Sequence, residues 1–104
     1  MLACYAVVDS GADDCLLPAS FASQLGLILS EGKSYEFGGP GSWRQTARFF
    51  PMTVAIGGFS PFRVSVGFAS ALDRTLIGIL GQNGFFDHFA VGFDLRNGVF
   101  YIED

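Results

Sequence analysis

Between Phe62 and Phe68 the chain alternates with a strict period of two: Phe62, Val64, Val66 and Phe68 are separated by Arg63, Ser65 and Gly67. Successive side chains of a strand point to opposite faces, so four apolar groups share one face and must be buried against something. A strand of this kind also needs neighbours for its backbone hydrogen bonds, and the rest of the chain supplies candidates. Met52 to Ile56 runs into Gly57-Gly58, a pair that tolerates the positive φ of a tight hairpin, and Pro51 is expected to limit that strand at its start. Ser34 to Phe37 and Trp43 to Phe50 read as a further pair. Ala90 to Asp94 and Val99 to Glu103 flank Asn97-Gly98, where both residues accept left-handed geometry, so the chain is expected to end as a β-hairpin.

Helical signals are few. Pro18 to Leu25 reads as a short helix, with Pro18 where its missing N–H costs nothing and Gly26 as a left-handed stop. A second helical turn is expected from Gln82 to Phe86, interrupted by Gly84. The expectation is an all-β fold in a single domain spanning 1–104, since this length holds one core but not two lobes. Half of the residues are apolar and 15% charged, more apolar material than so small a body readily hides, and an oligomer interface is the natural outlet.

The composition also excludes classes. No apolar run approaches the roughly 18 residues of a membrane span, and no basic segment precedes the apolar start, so the chain reads as soluble, untargeted and cytoplasmic. A net charge of -4 with the six Lys and Arg scattered from Lys33 to Arg96 leaves no footprint for nucleic acid. Cys4, Cys15 and the single His88 make a poor zinc set, and the two thiols read as reduced and unliganded.

The chemistry-bearing feature is Asp9-Ser10-Gly11. Ala3 to Val8 is an apolar strand that stops abruptly at this tripeptide, which presents a carboxylate on a tight loop at the end of a buried element. Taken alone, the tripeptide also suits an ordinary Asx turn. Its context is more specific: Ala12-Asp13-Asp14 follows, then Leu17-Pro18-Ala19-Ser20, and much later Ile79-Leu80-Gly81-Gln82-Asn83 and the Gly81 to Asp87 segment.

This ordered set resembles the retropepsins, the aspartic proteases of retroviruses and their bacterial and retroelement relatives. The resemblance implies a closed β-barrel that is one lobe of a homodimer, each subunit donating one Asp9 to a shared cleft. It implies that Ser10 hydrogen-bonds across the dimer axis and that Gly11 lets substrate backbone pass close by. Phe37, Gly38 and Gly39 match the tip of a glycine-rich flap. Ala12, Asp13 and Asp14 match cleft-lining positions, and Ile77 and Ile79 apolar subsites. The implied substrate is a peptide or polyprotein, with no metal or cofactor.

Two departures accompany the resemblance. Gln82 stands where many relatives carry an Arg that pairs with the second loop aspartate, here Asp13. Only Met1 to Val8 precede Asp9, where the family usually places another strand. For single residues plainer readings stand beside these: a hairpin tip for Phe37 to Gly41, solvated turn carboxylates for Asp13 and Asp14, core isoleucines for Ile77 and Ile79. For the whole chain, the alternatives are a catalytically inactive dimerisation or peptide-binding module and a monomeric binding barrel. His88 reads as a surface or satisfied histidine, and Phe85, Phe86 and Phe89 as core.

Overall fold

The computed structural model describes residues 1–37 and 45–104. It is mostly β. The strands are β1 (Ala6–Val8), β2 (Cys15–Pro18), β3 (Lys33–Phe37), β4 (Gln45–Val54), β5 (Phe62–Ala69), β6 (Gly78–Leu80), β7 (Ala90–Asp94) and β8 (Val99–Glu103). Six of them form one sheet in the order β1-β6-β2-β5-β4-β3, and β7 and β8 form a separate two-stranded ladder.

The alternating strand behaves as its pattern requires. Phe62, Val64, Val66 and Phe68 are buried, and they join Cys15, Phe21, Ala22, Phe85 and Phe89 in the main core. Complete burial of a side chain such as Phe68 or Phe85 stabilises the fold by about 1.5–3 kcal/mol relative to leaving it in water. The second cluster is small, formed by Leu16, Ala47 and Ala69 with Phe49, Leu72 and Ile79 packed against it.

Several expectations need correction. Among the described residues the sheet does not close into a barrel: β1 and β3 are its two ends, and no ladder joins them to each other or to the β7–β8 hairpin. Pro51 does not limit β4, which runs through it with Pro51 opposite Ser65 of β5. The β3 ladder stops at Lys33–Phe49, two residues short of Pro51, so the strand has a free side there and the missing N–H is tolerated.

Pro18 ends β2 instead of opening a helix. It pairs in the parallel ladder with Ala69, and α1 covers only Phe21–Gln24, followed by Gly26 at φ 74°. Between Gln82 and Phe89 there are turns and no helix. Gly84 has φ 115°, outside helical space, and a Cβ there would collide with Val64 Cγ2.

The terminal hairpin has the expected strand limits, but four residues, Leu95 to Gly98, connect its strands. Only Gly98 is left-handed, at φ 67°. Asn97 instead donates its backbone N–H to Asp94 Oδ1 (3.2 Å) and its side-chain amide to Asp94 Oδ2 (2.7 Å). Among the described residues no helix is long and apolar enough to cross a membrane.

Candidate active site

Asp9 follows directly on β1. That strand pairs in parallel with β6, Val8 opposite Leu80, and the Asp9 N–H donates to the Leu80 carbonyl at 3.0 Å. The chain then turns sharply, with the Ala12 N–H donating to the Asp9 carbonyl at 3.1 Å. Within this turn the Gly11 N–H donates to Asp9 Oδ1 at 2.9 Å. One carboxylate oxygen is thereby oriented by the backbone while the group stays exposed to solvent.

The loop is locked from the far end of the sequence. Gln82 and Asn83 donate their backbone N–H groups to the carbonyls of Ala12 (2.9 Å) and Asp13 (2.8 Å). Gln82 Nε2 donates to the Ser10 carbonyl at 2.7 Å, and Asn83 Nδ2 to Asp14 Oδ1 at 3.1 Å. Gly81 is what lets the two segments come this close. A Cβ on it would collide with the Asp14 carbonyl oxygen and stand 2.7 Å from that of Ala12, inside the contact distance of any real side chain. Beneath the loop, Cys15 Sγ lies 4.0 Å from the Gly81 carbonyl, and burial pushes this thiol's pKa up. It is a packing group there and not a nucleophile.

The expected site residues therefore fall into three sets. Asp9, Ser10, Gly11, Ala12, Asp13 and Asp14 form the loop itself, tied to Gly81, Gln82 and Asn83. Ile79 lies on β6 between Val7 and Leu16 and packs against the smaller core cluster. Ile77 precedes that strand, exposed, with its N–H donating to Thr75 Oγ1 at 3.4 Å. Phe37 is the last residue of β3, opposite Gln45, whereas Gly38 and Gly39 lie outside the described residues.

Gln82 is the residue whose part the sequence did not disclose. As a departure from Arg it reads as a missing partner for Asp13, yet its amide reaches the Ser10 carbonyl. Its position next to Ile79-Leu80-Gly81 was the only signal available. Phe85, Phe89 and His88 pack within the fold. Phe85 and Phe89 are buried, and the His88 ring stacks on Phe62 (4.2 Å between centroids, 13° between planes) with Nε2 3.9 Å from Asp104 Oδ1.

An apolar strand thus ends in a backbone-oriented aspartate, with a strand-Gly segment from late in the chain interlocked behind it. The family model described as aspartyl protease matches residues 3–83, and the chain belongs to that family, in its retropepsin-like branch. Compared with curated proteins and with solved structures, the chain has no match.

Proposed function

We propose that the protein is an aspartic endopeptidase whose working form is a homodimer, with the two Asp9 carboxylates sharing one proton and one water. The observation that carries this reading is the Asp9 carboxylate itself, held through Oδ1 by the Gly11 N–H on a loop that one chain supplies once. Two carboxylates at about 3 Å do not both ionise readily, so one serves as base while the other stays protonated as acid. The ionised Asp9 takes a proton from the water as it attacks the peptide carbonyl, and the partner's Asp9 donates its proton to the carbonyl oxygen. A tetrahedral diol results. Its collapse, with proton transfer to the amide nitrogen, releases the two peptide products.

In this reading Ser10 and Gly11 support the dyad. Ala12, Asp13, Asp14, Ile77 and Ile79 flank the bound peptide, and Phe37, Gly38 and Gly39 belong to the hairpin that covers it. Gln82 holds the loop within one subunit, so the dimer does not depend on an Arg at that position. Because the dyad titrates as a unit, activity is expected to follow a bell in pH on the acid side.

The test is peptide cleavage by wild type and Asp9→Asn across protein concentration. Activity should rise more steeply than linearly with dilute protein, as dissociation separates the dyad. Asp9→Asn should lose about 10²–10⁴-fold in rate with an unchanged circular dichroism spectrum. Undiminished cleavage by Asp9→Asn overturns the reading. Wild type that binds peptides but cleaves none at any pH would mark a peptide-binding module instead.

A further inference from the structure

The chain has two asparagines, Asn83 and Asn97, and each is followed by glycine. An asparagine in that setting can lose its amide when the next backbone nitrogen attacks its side-chain carbon, since glycine has no Cβ to obstruct the approach. The reaction needs that backbone N–H free to lose its proton and the side chain free to swing over it. The fold therefore decides which asparagine reacts, and it places the two very differently.

Asn83 sits in the interlock behind the aspartate loop. Its N–H donates to the Asp13 carbonyl at 2.8 Å and its Nδ2 to Asp14 Oδ1 at 3.1 Å. The nitrogen that would attack, that of Gly84, donates to Asp87 Oδ1 at 2.9 Å. Gly84 itself lies against Val64, and the next residue, Phe85, is 1% exposed in the main core. Freeing this segment means drawing Phe85 out of the core, an opening that requires a large share of the global unfolding free energy.

Asn97 lies in the terminal turn, exposed together with Gly98. Asp94 holds it, accepting the Asn97 N–H through Oδ1 (3.2 Å) and Nδ2 through Oδ2 (2.7 Å). The Gly98 N–H makes only a long bond, 3.3 Å, to the Leu95 carbonyl, and no described residue places an atom within 4 Å of a Cβ built on Gly98. Two bonds must yield before reaction, from Asn97 Nδ2 and from the Gly98 N–H. Each joins exposed groups of one turn and slows the reaction by about fivefold or less. Breaking them moves no core residue.

We propose that Asn97 is a site of spontaneous chemical modification through a cyclic imide, and that the fold shields Asn83 from the same change. The Gly98 nitrogen, its proton passed to hydroxide, bonds to Asn97 Cγ; the Cγ–Nδ2 bond breaks and ammonia leaves. Water then opens the imide at Cγ to give aspartate, or at the main-chain carbonyl carbon to give isoaspartate. Either product sets a new carboxylate beside Asp94, where the amide had donated to it. This chemistry is independent of peptide cleavage.

Native protein and protein unfolded in urea would be incubated side by side at mildly alkaline pH in heavy-oxygen water, then mapped by proteolysis and mass spectrometry. The unfolded chain gives the intrinsic rates, which should be similar at the two asparagines. In the native protein Asn97 should react within roughly thirtyfold of its unfolded rate, and Asn83 more slowly than Asn97 by roughly 100-fold or more. Aspartate and isoaspartate should both form, each carrying the heavy oxygen. Asp94→Ala releases the Asn97 amide and should speed its conversion several-fold without touching Asn83. Equal native rates at the two asparagines overturn the proposal, as does a native Asn97 left intact while Asn83 reacts or while the unfolded chain is converted many times over. Aspartate formed without isoaspartate, or an Asp94→Ala rate no faster than wild type, overturns it too.

Discussion

The aspartate loop and the terminal hairpin are held in opposite ways. The loop, Asp9 to Asp14, is short of apolar anchors, and side-chain bonds to it arrive from 69 and 72 positions away. The β7–β8 hairpin is closed by its own ladder and turn, and rests on the core through Val91 and Ile102. The loop's geometry therefore depends on a distant segment being correctly placed, whereas the hairpin's geometry is set locally. A carboxylate that must be aimed to within a fraction of an ångström needs the first arrangement. A flap of sheet that covers one end of a core can use the second.

The sharpest way to break the contrast is Gly81→Ala. The new methyl group runs into the Asp14 and Ala12 carbonyl oxygens, and backbone on both sides leaves little room to yield. A loss of about 1–3 kcal/mol is expected from overpacking, equivalent to roughly 4–20 °C in melting temperature for a domain of this size. Activity should fall further than stability alone explains, because the shift is delivered to the aspartate loop. Thermal unfolding followed by circular dichroism, with peptidase assays well below the midpoint, separates the two effects. A melting temperature within a degree of wild type would show that the interlock is looser than its distances suggest.

Gln82→Ala probes the same fastening more gently. It removes one exposed side-chain bond to the Ser10 carbonyl, worth about 1 kcal/mol or less, and leaves the Gln82 N–H to Ala12 bond in place. The expected signature is a several-fold fall in kcat with KM little changed and the melting temperature lower by a few degrees at most. Gln82→Glu offers no donor to that carbonyl and should behave no better than Ala. Recovery of kcat in Gln82→Arg would indicate that a donor at this position is what the loop requires.

In the hairpin, Gly98→Ala should cost about 1 kcal/mol, the penalty of a Cβ at φ 67° with open space around it. No change in kcat is expected beyond what a lower folded fraction produces. An activity loss comparable to that of Gln82→Ala would mean that the hairpin's shape reaches the site after all, and the contrast between the two regions would fail.

This division also governs how much could be read before the structure. The limits of the terminal strands were legible to the residue, because the Asn97-Gly98 turn signal lies between them, although the turn itself takes four residues with only Gly98 left-handed. The Phe62–Phe68 strand was legible from its alternation, and it does pair with the Met52 segment, but not through the tight hairpin expected at Gly57-Gly58. Residues 55–61 connect the two strands, and of the two glycines only Gly57 has positive φ. The aspartate loop was recognisable as a motif, and its link to Ile79-Leu80-Gly81 was legible only as a resemblance in order. Nothing local says that Gln82 reaches the Ser10 carbonyl, or that Pro18 belongs to a parallel ladder with Ala69, since both depend on segments brought together by the sheet. Pro51 misled because a proline disfavours a strand only where its N–H is needed, and that depends on where β3 ends.

The smallest expected effect lies on the hairpin's inner face. Val91, Phe93, Phe100 and Ile102 alternate onto one side of the ladder, with Val91 opposite Ile102 and Phe93 opposite Phe100. The first pair is half-buried against the core. The second overhangs it, Phe93 50% and Phe100 48% exposed, with ring centroids 6.5 Å apart. Val91→Ala should therefore destabilise the protein by up to about 1.5 kcal/mol, as partial removal of a packed methyl pair does. Phe93→Ser should lie within about 0.5 kcal/mol of wild type, as for most exposed positions. The comparison is made by urea unfolding at two protein concentrations a hundredfold apart. If Phe93→Ser costs more than Val91→Ala, and more at the higher concentration, then another copy of the chain covers the overhang, and the hairpin is no longer the locally determined half of the molecule.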